Sequence, residues 1–356
     1  MSCEYALPPE NILKRLRRGL VIPAHPLALT ERKELDERHQ RALTRYYLDA
    51  GAGGLAVGVH TTEFKIHEAK IGLYRPVLEL AIETARSWSA GSPVMIAGIC
   101  GATDQAVKEA SIAGELGYHI GLISLGALKG WQEDQLIEHA RRVAEVIPLM
   151  GFYLQPAAGG RILPESFWRK LAEIPNLVAI KIAPFNRYHT LEVVRAVALS
   201  GRLREIALYT GNDDTIITDL LTTYELQFQG RQVKADIVGG LLGHWAYWTK
   251  CAAQQLNEVH RVKVQAEIPA GLLTLAAQVT EANEAVFDPV NSYRGCISGI
   301  LYTLSLSGLI EEVRTLGEEE ELSPGQAGKI ERIIRDYPHL IDHDFIGANL
   351  EKWLLP

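Results

Sequence analysis

The chain has 356 residues, 47% hydrophobic and 22% charged, with a formal net charge of −7. That composition fits a soluble globular protein with a large core, either one barrel-sized domain or two ordinary ones. The acidic balance argues against a nucleic-acid or anionic-membrane surface. No apolar run reaches the roughly 18 residues of a membrane span, and the N-terminus lacks a signal-peptide pattern, which makes the cytoplasm the expected location.

Taken in order, short apolar runs alternate with longer amphipathic segments, the signature of repeated βα units. The basic cluster Lys14, Arg15, Arg17 and Arg18 reads as the solvated face of a first helix. Strands are predicted at 19–24, 55–59, 93–99, 120–124, 150–154, 177–182, 205–209 and 235–239. Helices are predicted between them at 34–50, 73–87, 103–116, 133–146, 164–174, 191–199 and 213–223, the third capped by Thr103 and Asp104. Eight such units in about 250 residues predict a (β/α)8 TIM barrel over residues 1–241, including the N-terminal helix. A doubly wound sheet is the alternative, but no GxGxxG follows the first strand. From 242 onward only helical patterns remain, at 245–264, 268–285, 293–307 and 324–336, so residues 242–356 are expected to form a C-terminal helical appendage. The acidic run Glu318 to Glu321 between them reads as a solvated linker.

Four cysteines, Cys3, Cys100, Cys251 and Cys296, stand far apart and suggest neither a zinc site nor a disulfide framework. The histidines His25, His60, His67 and His244 have no metal-ligating spacing either, so no metal is expected; contact of His60 or His244 with a substrate stays open.

In a barrel, chemistry gathers where strands end and βα loops begin. The polar residues predicted there are His60, Thr61 and Thr62 after the second strand, Tyr153 on the fifth, Lys181 on the sixth, and Gly211, Asn212, Asp213 and Asp214 after the seventh. Lys181 stands between Ile180 and Ile182 in an otherwise apolar run, where an ammonium must find a partner, reach solvent, lose its proton or do chemistry. Desolvation favours the neutral amine, the nucleophile that condenses with a carbonyl to give a Schiff base. Read singly, Tyr153 could be an ordinary strand aromatic, Thr61 and Thr62 a capping pair, and Asn212 with Asp213 a helix cap.

Several stretches together resemble the dihydrodipicolinate synthase / N-acetylneuraminate lyase family of class I aldolase barrels. They are Val21 to Ala24, Ala50 to Val57, the Thr61-Thr62 pair, Ala97-Gly98, the Tyr153 strand, Leu171 to Lys181, and the turn Gly211 to Asp214. The separation of Tyr153 and Lys181 is also the one that family uses. The resemblance implies that Lys181 forms an iminium with pyruvate or another 2-keto acid and that Tyr153 relays protons with the hydroxyl of Thr61. It also implies that Thr62 holds the keto-acid carboxylate, while Gly211 and Val238 line the pocket. No cofactor is implied, because the protonated imine is the electron sink. The expected partners are a 2-keto acid, an aldehyde, and further copies of the chain in a homodimer or homotetramer.

This chain departs from the family in three places. His60 precedes the hydroxyl pair where the family has glycine, and Glu63 and Phe64 follow it where the family has Gly-Glu. The tyrosine pair that synthases carry after the fourth strand is absent from residues 124–131. Leu154 replaces an asparagine, and Ala158 stands where synthases place a substrate-binding arginine, leaving Arg161 as the nearest candidate. These departures argue against lysine biosynthesis. They leave open an aldolase, a dehydratase of sugar-derived keto acids using the same lysine, a barrel that binds a small carboxylate without turnover, and a structural Lys181.

Overall fold

The computed structural model describes residues 5–89, 91–228, 230–317 and 321–356; Cys3 and Glu318, Glu319 and Glu320 of the acidic run lie outside the described residues. The strands are β1 (Val21–Pro23), β2 (Gly54–Val57), β3 (Val94–Ile99), β4 (Ile120–Ile123), β5 (Leu149–Leu154), β6 (Leu177–Ala183), β7 (Ala207–Thr210), β8 (Thr223–Phe228) and β9 (Arg231–Leu242). Eight of them run parallel in the order β1-β9-β7-β6-β5-β4-β3-β2. A parallel bridge from Ala24 to Ala56 joins the two ends. The result is the (β/α)8 TIM barrel that the alternation predicts.

The helices are α1 (Glu10–Arg18), α2 (Glu37–Ala50), α3 (Tyr74–Trp88), α4 (Thr103–Leu116), α5 (Glu133–Ala144), α6 (Glu165–Leu171), α7 (Arg187–Leu199), α8 (Ile216–Leu221), α9 (Thr249–Lys263), α10 (Gly271–Phe287), α11 (Cys296–Ser305), α12 (Gln326–Asp336) and α13 (His343–Trp353). Most boundaries differ by a few residues, and the largest changes lie at the last barrel unit. The helix expected over 213–223 is the short α8, because Thr223 begins β8, an antiparallel partner for the first half of β9. The strand expected at 235–239 is therefore the middle of a longer one. In β8 exposed residues alternate with half-buried ones, as expected of an edge ribbon with one face on the protein.

Side-chain alternation divides the apolar residues into two layers. Ile22, Ile96, Ile120, Leu122, Met150, Phe152, Val178 and Leu241 fill the barrel, whereas Leu55, Val57, Leu149, Tyr153, Ile180 and Ile182 face the helices. Helix α1 closes the N-terminal mouth with Ile12, Leu13 and Leu16, and the Tyr209 hydroxyl donates to the Leu16 carbonyl at 2.7 Å. With that end plugged, the opening lies at the C-terminal ends of the strands. The outer layer continues into the C-terminal helices: Val279, Val286, Ile300, Leu304, Ile330 and Trp353 belong to the same packed cluster as the barrel's outward faces.

Candidate active site

A cavity of about 50 Å3 lies at the open mouth, with Lys181 on its wall. Its apolar walls include Ala24, Val59, Phe152, Leu154, Ala183, Phe185 and Phe287; its polar groups are His60, Thr61, Gln155, Lys181, Asp213, Tyr293 and Cys296. His60, Ala158 and Tyr293 also border a wider vestibule of about 720 Å3. The inner space is large enough for a few waters or a three-carbon acid.

Lys181 occupies an inward position of β6 and is 6% exposed. Its Nζ stands 4.5 Å from the centroid of the Phe152 ring, and it makes no hydrogen bond or salt bridge among the described residues. Burial lowers its pKa from 10.5 to about 8, opposed by the charges of Asp213 and Cys296. Gly211 makes room for it: a Cβ there would lie 2.7 Å from Lys181 Cε and 2.8 Å from the Ala183 Cβ.

Asp213 follows on the same turn. Burial raises its pKa from 3.8 to about 7, opposed by the His244 backbone N–H and by Lys181. Its position is fixed from both sides, because Oδ1 accepts from the His244 N–H at 2.9 Å and its carbonyl accepts from the Asn283 amide of α10. Asn283 Oδ1 in turn lies 2.7 Å from His244 Nδ1 and 2.6 Å from the Tyr247 hydroxyl. Asn212 anchors the rest of the turn, accepting from the Phe185 N–H and donating to Asp219, a fully buried carboxylate paired with Arg187.

The structure gathers some predicted site residues and disperses others. Lys181, Thr61, His60 and Gly211 line the cavity. Burial, followed by the charge of Lys181, lowers the His60 pKa to about 4, so it is neutral at pH 7. Thr61 donates to the Ala24 carbonyl at 2.7 Å. Thr62 does not reach the cavity; its hydroxyl accepts from the Gly58 and Val59 N–H groups and donates to the His25 carbonyl, which pins the loop.

Tyr153 faces away from Lys181. Its ring packs 5.1 Å from Trp168 and 5.8 Å from His189, and its hydroxyl accepts from the Leu163 N–H at 3.3 Å, all in the layer between sheet and helices. The cause is a register shift between Leu149 and Met150: Leu149 pairs with Leu177, but Met150 pairs with Ala179. Beyond that bulge Phe152 stands opposite Lys181 and Tyr153 opposite Ile182. One residue of slip exchanges the two faces of a strand.

Arg161 is likewise elsewhere. Its guanidinium donates to the carbonyls of Leu128 at 2.7 Å and Trp131 at 3.0 Å, stapling the loop after β5 to the loop after β4. Val238 lies below the cavity, where its carbonyl accepts from His260 at 2.9 Å; Gly243, farther along the chain, lines the site instead. Sequence reading missed Phe152, Gln155, Phe185, Phe287, Tyr293 and Cys296, and gave Asp213 no chemical role. Asp213 carried a signal in its place directly after a strand. Phe287, Tyr293 and Cys296 carried none, since only tertiary packing returns the C-terminal region to the barrel mouth.

Comparison with known proteins agrees with this architecture. A 4-hydroxy-tetrahydrodipicolinate synthase from Cyanothece sp. is 27% identical over 209 residues, 57% of this chain and 66% of that protein, so the match spans slightly less than two thirds of the relative's length. The structure of YagE, a prophage protein of the dihydrodipicolinic acid synthase family from E. coli K12, solved with pyruvate, superposes with a TM-score of 0.73 at 17% identity over 90% of this chain and 98% of that one. N-acetylneuraminate lyase from Fusobacterium nucleatum gives 0.69 at 16% identity over 91% and 99%. Likeness at such low identity speaks for the fold. Residues 18–224, more than half of the sequence, match the dihydrodipicolinate synthetase family, and the chain belongs to it.

Proposed function

We propose that this protein is a Schiff-base-forming lyase in which the Lys181 amine condenses with the keto carbon of pyruvate or another small 2-keto acid, for aldol addition or retro-aldol cleavage. The observation that carries the reading is a lysine without a hydrogen bond or salt bridge among the described residues, on the wall of a small, largely apolar cavity. Burial lowers the amine's pKa to about 8, which raises the minority of neutral amine near physiological pH, the form that attacks a carbonyl. The iminium then withdraws electrons from the neighbouring C–H or C–C bond, and Thr61 with the turn around it receives the carboxylate. YagE, a member of the same family, was solved with pyruvate, which supports this substrate class.

The walls restrict the second substrate. No arginine lines the cavity among the described residues, and Leu154 and Ala158 offer no charge to a second carboxylate. A small aldehyde fits this inner cavity better than a substrate with a second carboxylate, while Lys65 and Arg294 border the vestibule outside it. The test is borohydride reduction with pyruvate, followed by intact mass and peptide mapping. A pyruvyl adduct on the peptide carrying Lys181, absent in Lys181→Ala, is expected. No adduct with pyruvate or a panel of 2-keto acids would refute the proposal.

A further inference from the structure

We infer that Asp213 is the acid–base group of this site, taking the place that a tyrosine hydroxyl on β5 would otherwise hold. The inference rests on the reading of Lys181 as the imine-forming residue. Phe152, which stands opposite Lys181 on β5, has no transferable proton, and Tyr153 lies behind the sheet. Asp213 shares the cavity with Lys181, and its position is fixed through His244 and Asn283. Its Oδ1 is occupied by the His244 N–H, which leaves Oδ2 for the reacting atoms.

The two groups line the same cavity and interact electrostatically without forming a salt bridge. Burial narrows the gap between their proton affinities, from 10.5 against 3.8 to about 8 against about 7. A neutral amine with a carboxylic acid, and an ammonium with a carboxylate, contain the same single shared proton. The amine remains the stronger base, so the ion pair still leads, but burial brings closer to it the neutral pair, which is the reactive one.

The steps balance from that state. The amine lone pair forms the N–C bond, the C=O π pair moves to oxygen, and that oxygen takes the Asp213 proton. The carboxylate then removes a proton from the nitrogen. Next the nitrogen lone pair forms C=N, and the hydroxyl leaves with the Asp213 proton as water. The carboxylate finally removes a C3 proton, turning the iminium into an enamine and restoring the acid for protonation of an aldehyde oxygen. One carboxyl group serves each transfer, as a general acid–base catalyst does.

Other titratable groups around the pair are accounted for. His60 is neutral above a pKa of about 4, and burial raises the pKa of Asp214 and Tyr293. The Cys296 thiol lies near Lys181. His244 presents its backbone to Asp213 and its ring to Asn283 and Tyr247. The pair therefore titrates as a unit whose one-proton form is active.

The test follows exchange of the pyruvate C3 protons for deuterium by NMR, alongside borohydride trapping. Asp213→Asn keeps an acceptor for His244 and is expected to slow exchange about 100-fold or more, while Asp213→Glu recovers part of the rate. Wild-type exchange is expected to be bell-shaped in pH, falling on both sides of the interval around 7 to 8. Unchanged exchange in Asp213→Asn, or a wild-type rate still rising above pH 9, would overturn the role of Asp213 while leaving the Lys181 adduct intact. Absence of any adduct in the wild type would remove the imine chemistry itself, and Asp213's role with it. The wild-type pH profile decides the matter even if Asp213→Asn does not fold.

Discussion

Lys181 was legible in the sequence because a single charged residue in an apolar β-run violates the pattern around it. The residue standing opposite it was not. The number separating Tyr153 from Lys181 is correct for facing residues only while the Leu149–Leu177 register holds, and a bulge one residue later ends that register. Nothing local announces the bulge, because it belongs to the pairing of two strands rather than to either one. The consequence is testable at one atom. Tyr153→Phe removes an acceptor from the Leu163 N–H and should cost about 1 kcal/mol of stability, yet leave C3 exchange within about threefold of wild type, since the hydroxyl does not face the cavity. A loss of exchange comparable to that expected for Asp213→Asn would return the proton relay to Tyr153. Gly211→Ala acts in the opposite way. Its Cβ would press on both Lys181 Cε and the Ala183 Cβ, so overpacking of about 1–3 kcal/mol should accompany at least a tenfold slower rate of trapping by borohydride, read by mass spectrometry.

Elements were read more accurately than the faces they present. Short apolar runs bounded by glycine, proline and capping residues located all eight barrel strands, because a buried parallel strand must be apolar on both sides. The β8–β9 ribbon escaped notice, as its alternation sits between residues already assigned to a helix and a strand. The role of α10 was invisible for a different reason: the helix reads from its sequence only as an apolar packing element, and only its packing reveals that Asn283 holds the turn carrying Asp213. Asn283→Ala leaves the Asp213 carbonyl, the Tyr247 hydroxyl and His244 Nδ1 without this partner. We expect a stability loss of about 2–4 kcal/mol in chemical denaturation, from several buried polar groups, and at 25 °C, where the variant remains folded, a fall in kcat for C3 exchange larger than any rise in KM. An unchanged kcat would show that α10 supports the fold alone.

At the scale of the whole molecule, the alternation of the first 241 residues reveals the barrel, whereas the contribution of the remaining residues emerges only in three dimensions. The C-terminal helices cover the outer face of the barrel and also supply cavity wall, through Phe287, Tyr293 and Cys296. The last of them, α13, was not foreseen. It ends at the fully buried Trp353, whose ring lies 5.4 Å from Tyr46 and whose indole donates to Asp49 at 2.8 Å, both on α2. At its start the buried Asp342 accepts from the Tyr46 hydroxyl at 2.6 Å, the Lys250 N–H at 2.6 Å and the Cys251 N–H at 2.9 Å. One carboxylate thus ties the first barrel helix α2, the start of α9 and the start of α13 together. Asp342→Ala strands three buried or half-buried donors at once, each costing about 1–3 kcal/mol, so the midpoint of guanidinium unfolding should fall sharply. Asp342→Asn retains an acceptor and should lose less. Because Asp342 lies far from Lys181 in function, borohydride trapping by the folded fraction of either variant should proceed at the wild-type rate, separating the residues that hold the helices on the barrel from those that work inside it.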